Sequence, residues 1–164
     1  MNYQNVIADE HIDTIVKLAH ETWNEYYPVI ITQSQIDYML DKYQSKSAIH
    51  KQLEQGALYY VAYLEAIPAG YFSLIPQRDK QVQLSKFYLL KKYRGRGYAS
   101  EMFRFIVDVM RQQQLTRIWL TVNKNNSRAI AVYQAIGFVK TNSLVMDIGN
   151  GFVMDDFRME LLIS

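Results

Sequence analysis

The sequence contains no cysteine among its 164 residues. This absence excludes disulfides, thiolate metal sites, iron–sulfur clusters and a cysteine nucleophile. Only 7 glycines and 3 prolines are present, about half their usual share, so most of the chain is expected in helices and strands. No run approaches the roughly 20 apolar residues of a membrane-spanning helix. Since no basic region followed by an apolar run opens the chain, no signal peptide is indicated, and we expect a cytoplasmic protein.

The sequence also lacks a large excess of either positive or negative charge. The 18 basic and 16 acidic side chains leave a formal net charge of +2, too little to indicate nucleic-acid binding by itself. Hydrophobic residues make up 49% of the chain, which excludes a disordered protein and supplies a sizeable core. At this length, with no linker or internal repeat, we expect a single domain over residues 1–164.

Hydrophobic spacing predicts a mixed α/β fold, a central mixed sheet flanked by helices. Helices are expected from Asp9 as cap to Pro28, from Thr32 or Ser34 as cap, over Ser47–Gln55, after the Gly-rich turn with the apolar stripe Ala99, Met102, Phe103, Ile106 and Met110, and over Asn126–Ile136. Strands are expected over Tyr3–Ile7, Ala57–Leu64, Ala69–Pro76, Val82–Leu90, Arg117–Asn123, Phe138–Asp147 and Phe152–Leu162. The strand–helix–strand crossover should pair its two strands in parallel.

Alternation along the third β-rich run makes a specific prediction about its two faces. Val82, Leu84, Lys86 and Tyr88 should lie on one face, because successive side chains of a strand point to opposite sides.

A turn with two glycines separates this strand from the strongest helix. It reads Arg94-Gly95-Arg96-Gly97-Tyr98-Ala99. The first amides of a helix have no partner within it, and the helix dipole places positive charge there. Because glycines let the backbone approach a ligand and two arginines add charge, the turn predicts a phosphate or diphosphate site. No Lys-Ser/Thr follows, as a P-loop requires, and Ser100 replaces the last glycine of a dinucleotide fingerprint.

Two motifs together resemble one known family. The turn is similar to the Gln/Arg-x-x-Gly-x-Gly/Ala signature of the GNAT superfamily of N-acetyltransferases, which use acetyl-coenzyme A. Downstream, Asn126, Ala129, Tyr133 and Gly137-Phe138 stand at the spacing of a second family segment, Asn-x-x-Ala-x-x-x-Tyr-x-x-x-Gly-Phe. The order of the elements fits the family fold over nearly the whole chain. The GNAT-like fold is therefore our expectation.

The resemblance implies a cofactor site between two splayed parallel strands, Leu84–Leu90 and Arg117–Asn123. The main chain of Phe87, Tyr88 and Leu89 would pair with the pantetheine arm of acetyl-CoA. The resemblance implies further contacts, in which the diphosphate would rest on the amides of Arg94, Gly95, Arg96, Gly97, Tyr98 and Ala99, and Asn126 would hydrogen-bond the cofactor or simply cap its helix.

Tyr133 matches the family tyrosine that protonates the departing thiolate. A thiol titrates near ~8.5 and a tyrosine near ~10, so full proton transfer is uphill by roughly 2 kcal/mol. The glutamate that many members carry before the signature is absent, since Gln83 and Ser85 stand there. Four weaker candidates remain for the general base: His20, Glu21, Glu25 and, as a relay, Ser85. No metal site is expected.

The acceptor is left open by the sequence. Aromatic residues between Glu21 and Tyr43, and the ending Met154–Met159, resemble bacterial spermidine/spermine acetyltransferases and favour a polyamine or other small amine. A peptide or protein N-terminus and an antibiotic amine are alternatives. So are a catalytically quiet acyl-CoA-binding regulatory module and a nucleic-acid patch over Lys91–Arg96, although we expect no nucleic-acid or membrane partner. Strand edges near the terminal hairpin favour a homodimer.

Overall fold

A mixed sheet forms the centre of the molecule in a computed structural model that describes residues 1–163. Its strands are β1 (Asn2–Asn5), β2 (Leu58–Leu64), β3 (Ile67–Pro76), β4 (Gln81–Leu89), β5 (Arg117–Asn123), β6 (Val139–Gly149) and β7 (Phe152–Leu162). The helices are α1 (Asp9–Tyr26), α2 (Gln33–Gln44), α3 (Lys46–Glu54), α4 (Tyr98–Gln112) and α5 (Ser127–Ile136), with short 3₁₀ turns at Tyr27–Val29 and Lys91–Tyr93.

The strand order in the sheet is β1-β2-β3-β4-β5-β7-β6. The β4–β5 pair is parallel, whereas the other neighbouring strands within residues 1–163 pair antiparallel. This arrangement confirms the predicted mixed sheet, because the α4 crossover returns the chain in the same direction.

Two apolar cores cover the two faces of the sheet. On one face α4 buries Met102, Phe103, Ile106 and Met110 at helical spacing against the sheet. On the other face α1, α2 and α3 bury a second set centred on Trp23. Since full burial of a large apolar side chain is worth about 1.5–3 kcal/mol, both helix layers are held firmly and the strands between them are fixed in place.

The predicted alternation along β4 is wrong after Ser85. Leu84 pairs with Leu74 of β3 and Lys86 pairs with Ser73, so Ser85 is an extra residue without a partner. Such a bulge moves every later side chain to the opposite face. As a result Val82 and Leu84 share the α4 side with Phe87 and Leu89, while Tyr88 packs on the α1 side.

Helix ends follow local capping chemistry in most places. Thr32 caps α2, since its hydroxyl accepts from the Gln35 amide at 3.2 Å. This confirms one of the two predicted caps, Thr32 rather than Ser34. Asp9 is the first helical residue rather than the cap, which is Ala8. The Asp9 carboxylate instead lies 3.2 Å from Lys46 Nζ, at the start of α3. This ion pair links the ends of two helices that the sequence places far apart.

Candidate active site

A cleft opens where β4 and β5 separate. The two strands pair only at Gln81–Gln83 and Arg117–Trp119, so their later residues diverge. The space between them forms a cavity of about 480 Å³, a size typical of sites for small molecules. Its lining comes from both strands, from the starts of α4 and α5, and from α1, α2, β6 and β7.

The start of α4 presents main-chain donors beside this cleft. No acceptor within residues 1–163 pairs with the amides from Gly95 to Ser100. Gly95 and Gly97 have φ of 73° and 83°, a region that other residues enter only at a cost. An added Cβ at either glycine would meet nothing within 4 Å. The turn therefore holds a row of open donors at a helix N-terminus, which suits an anion.

Arg94 differs from its predicted role. Its amide donates to the Lys91 carbonyl at 3.0 Å, so that amide is not free for a diphosphate. Its Nε donates to the Leu89 carbonyl at 2.7 Å, and that carbonyl keeps a second lone pair for a ligand. The guanidinium lies over the Tyr26 ring and 3.7 Å from Glu25. Arg94 thus links the end of β4 to α1, because its side chain contacts the Leu89 carbonyl of β4 and also Glu25 and Tyr26 of α1.

The start of α5 faces the same cleft. The Asn126 Oδ1 accepts from the Ala129 amide at 3.0 Å, which confirms the capping alternative, and from the Tyr26 hydroxyl at 2.6 Å. Both oxygen contacts are internal, and only the amide nitrogen of Asn126 remains for a ligand. Arg128, which lines the cleft mouth, acts on Arg94 through its charge and lowers the pKa of that guanidinium, after burial as the larger cause. Arg128 and two helix N-termini therefore favour an anion here.

Tyr133 lines the cleft from α5. Its ring packs against Phe87 and, edge to face, against Phe138 at 5.6 Å between centroids. Burial raises the pKa of the Tyr133 phenol well above its ordinary value, and the nearby Tyr27 adds to the rise. The phenol consequently stays protonated at neutral pH and can donate a hydrogen bond, while its raised pKa makes complete transfer of its proton to a thiolate costlier than the ordinary pKa values give.

Three of the proposed bases lie away from this cavity. Its lining within residues 1–163 does not include His20, Glu21 or Glu25, and the Glu25 carboxylate contacts Arg94 instead. Those three predictions are therefore not supported by the geometry. Ser85, at the bulge, does line the cleft.

Sequence reasoning missed the carboxylate that does reach the cleft. Asp156 on β7 lines it and is 3% exposed. It is the one carboxylate among the described lining residues. Burial, with Asp155 as a smaller cause, raises its pKa to about 6. The sequence shows Asp156 only as one of two adjacent aspartates near the end of the chain, and alternation along a strand could have indicated that the two face opposite sides.

The other predicted cofactor residues divide into those that line the cleft and those that do not. Phe87, Tyr88, Gly95 and Ala99 line the cleft, whereas Arg96, Gly97 and Tyr98 stand outside the lining, at the turn and the first residue of α4. Arg96 is exposed. The roles assigned to these residues stay predictions.

Known proteins similar to this chain identify the family to which it belongs. A model of the acetyltransferase (GNAT) family matches residues 15–138. The chain belongs to this family. An uncharacterized N-acetyltransferase of Mycobacterium tuberculosis is 35% identical over 89 residues, which cover 52% of this chain and 57% of that protein. An N-alpha-acetyltransferase of Arabidopsis thaliana, MAK3, is 33% identical over 79 residues, covering 48% and 40%. The chain thus spans about half the length of these relatives.

The GNAT fold is shared with a solved structure. The PaiA N-acetyltransferase of Thermoplasma acidophilum, in complex with coenzyme A, has a TM-score of 0.79 over 99% of this chain and 100% of that one, at 20% identity. The family match includes the α4 turn and Tyr133 but ends before β6 and β7. Asp156 therefore lies outside the matched segment. No helix within residues 1–163 has the length and apolarity needed to cross a membrane.

Proposed function

We propose that this GNAT chain transfers the acetyl group of acetyl-CoA to a primary amine. The observation that carries the proposal is the cleft between β4 and β5, which Gly95, Ala99 and Tyr133 line and beside which the amides of Gly95–Ser100 are open. Diphosphate fits the open amides and a departing thiolate fits the Tyr133 phenol. The fit rests on the donor set, since helix N-termini favour phosphate oxygens and a protonated phenol stabilises charge developing on sulfur.

Beyond Gln83, β4 offers its edge to a pantetheine arm. The strand is paired with β3 on one side, while the β5 side is free from Leu84 onward. An extended ligand can therefore add to this edge as a further strand. Phe87, Tyr88 and Leu89, the three residues predicted to contact it, all line the cleft. The Leu89 carbonyl accepts from Arg94 Nε and has a second lone pair for the ligand.

For the acceptor we propose a small amine with a single ammonium group and an apolar body. Aromatic and sulfur-containing side chains line the cleft on the α1, α2 and β7 side, among them Trp23, Tyr27, Met39 and Met154. Asp156 is the one carboxylate there within the described chain. A polyamine carries several ammonium groups and would leave all but one without an opposite charge, so a polyamine is the second candidate.

A peptide α-amine is a further candidate. The N-alpha-acetyltransferase among the relatives favours it, and a single carboxylate can bind one terminal ammonium. A catalytically quiet acyl-CoA binder, in contrast, would leave the Tyr133 phenol without a task in the cleft.

The test is release of free coenzyme A from acetyl-CoA in the presence of aralkyl and alkyl monoamines, spermidine and short peptides with free N-termini. Binding of coenzyme A is measured separately by calorimetry. Turnover with at least one amine class supports the transferase and identifies the acceptor. Tight binding without turnover would establish the quiet binder, and absence of coenzyme A binding would contradict the whole proposal.

We also propose that the chain forms a homodimer through the edge strand β6. This strand pairs with β7 on one side and carries the exposed side chains Val139 and Val145. Open strand edges with apolar side chains are ready templates for another chain. Light scattering of the wild type and of Val145→Lys tests this, with a monomeric wild type contradicting it.

A further inference from the structure

The proposed reaction needs a group that takes a proton from the acceptor. An alkylammonium titrates near ~10.4, so the attacking amine is mostly charged, and not nucleophilic, at neutral pH. This inference rests on the proposed function and asks which side chain supplies that base. The two β4 positions before the turn offer none, because they are Gln83 and Ser85.

Asp156 is placed for this task by the pairing of three strands. On β7 it lies opposite Asn123, the last residue of β5, and opposite Leu144 of β6. The side chain lines the cleft and is almost fully buried. Its Oδ1 is shielded from solvent and has no hydrogen-bond partner within residues 1–163. A buried carboxylate oxygen left in this state is costly, which points to a ligand that donates to it.

Charged and titratable groups surround Asp156 unevenly. Asp155, its neighbour on β7, repels the ionised form, while Lys124 after β5 attracts it and the Thr121 hydroxyl stabilises it. From the α1 side, Tyr27 is influenced by the Asp156 charge and itself acts on Tyr133. Within residues 1–163, Asp156 therefore has no ion-pair partner of its own, since the nearby Lys124 pairs with Asp155.

We propose that the Asp156 carboxylate binds the ammonium group of the acceptor and takes its proton. It is the general base of the transfer, and the apolar lining formed by Trp23, Tyr27 and Met154 holds the body of the amine. Its position on β7, outside the segment matched by the family, explains why the signature motifs do not reveal it.

The transfer consumes the alkylammonium and acetyl-CoA and yields the amide, free coenzyme A and one proton. Asp156 accepts one proton from the ammonium, which leaves a neutral amine. Acetyl-CoA supplies the thioester, whose carbonyl carbon bonds to the amine nitrogen while its carbon–sulfur bond breaks and the sulfur leaves with the electron pair. Tyr133 gives its phenolic proton to the sulfur and regains a proton from the new amide nitrogen. Asp156 finally releases its proton to water, so both side chains return to their starting states.

The experiment measures kcat/KM against pH for the wild type and Asp156→Asn, with the best amine from the panel above. In the wild type, a carboxylate that accepts the ammonium proton gives a rate that is flat from about pH 6 to the pKa of the amine and falls below pH 6. The variant reacts only with the neutral amine, so its rate rises about tenfold per pH unit over that range. At pH 7 we expect a loss of about 10²–10³-fold that shrinks towards pH 9.

Asp155→Asn is the matched control. It removes the adjacent carboxylate, which is 57% exposed and pairs with Lys124. The flat region should persist, with the acid limb shifted to slightly lower pH because Asp155 raises the pKa of Asp156. An equal loss at every pH in Asp156→Asn, or no loss, would overturn the inference while leaving the transferase intact. A wild type that acetylates no amine would overturn both proposals.

A second readout needs no turnover. Because the pKa of Asp156 is raised from 3.8 to about 6, its ionised form weakens the folded state above pH 6 and not below pH 4. Asp156→Asn should therefore melt about 5 °C higher than the wild type at pH 8 and about equally at pH 4. Addition of the amine at pH 8 should stabilise the wild type and not the variant. Equal stabilisation of both by the amine would contradict ammonium binding at Asp156.

Discussion

The two sides of the cleft are built by different means. The α4 side offers main-chain amides from one continuous turn, Gly95–Ser100. The acceptor side is made of side chains from α1, α2, β4 and β7, including the buried ionisable groups Lys86 and Asp156. A main-chain site tolerates most side-chain changes and depends on backbone conformation, whereas a side-chain site depends on which residues distant segments bring together. The comparison implies that mutations should affect the two sides in different ways.

After Asp156→Asn, the largest effect should come from loss of the Tyr133 phenol, which lines the cleft. Tyr133→Phe removes the donor to sulfur and keeps the ring packed against Phe138. Loss of one such donor costs about 10²–10³-fold in rate, so kcat should fall by about 10²-fold while coenzyme A binds with unchanged affinity. Steady-state kinetics and calorimetry measure the two quantities. Tyr63→Phe on β2 is the control, and equal losses in both variants would refute a role for the Tyr133 hydroxyl.

On the α4 side, backbone conformation should matter more than chemistry. Gly97→Ala forces an ordinary residue into φ of 83°, which costs about 1–2 kcal/mol. The turn is expected to relax and rotate its amides, weakening coenzyme A binding about tenfold. Gly56→Ala is the matched control, since Gly56 has φ of 95° and equally open surroundings after α3. Both variants should lose stability, but only Gly97→Ala should lose affinity by calorimetry.

On the acceptor side, a buried charge should weaken the fold. Lys86 is 5% exposed and its Nζ donates to Gln52 Oε1 at 2.7 Å. Burial lowers its pKa to about 8, so the charged form weakens the folded state below pH 8, and the penalty vanishes as pH rises towards 10.5. Lys86→Met should add about 1–3 kcal/mol to the free energy of unfolding at pH 7 and nothing near pH 10.5.

Urea unfolding of Lys86→Met at both pH values measures this difference. The surface lysine Lys91, which is 74% exposed, provides Lys91→Met as a control with little expected change. A gain that is the same at pH 7 and pH 10.5 would mean that packing, rather than the buried charge, explains the result.

The smallest effect concerns the hydrogen bond between the end of α1 and the start of α5. Tyr26 at the end of α1 donates to Asn126 Oδ1 at 2.6 Å. Tyr26→Phe keeps the ring under Arg94 and removes only this hydrogen bond, worth about 1 kcal/mol. The melting temperature should fall by about 2–4 °C. An unchanged melting temperature would show that α1 is held against α5 by packing alone.

Sequence patterns predicted the local structure at the starts of α4 and α5 correctly. The two glycines, the apolar stripe of α4 and the Asn126 cap are local features, and each follows from neighbouring residues within one turn. The same reasoning failed at Ser85 and Arg94. A bulge at Ser85 depends on the register with β3, and the direction of the Arg94 side chain depends on Glu25 and Tyr26, which are about 70 residues away in sequence.

The sequence by itself determined the order of helices and strands, the family, and the place of the turn with its open amides, because each is encoded by spacing within a short segment. Only the tertiary structure decided which carboxylate reaches the cleft. Asp156 and Asp155 are chemically identical in the sequence, and the pleat of β7 buries one at the cleft and leaves the other beside Lys124. Alternation along the strand separates the two aspartates, but the pairing of β7 with β5 and β6 decides which of them faces the cleft.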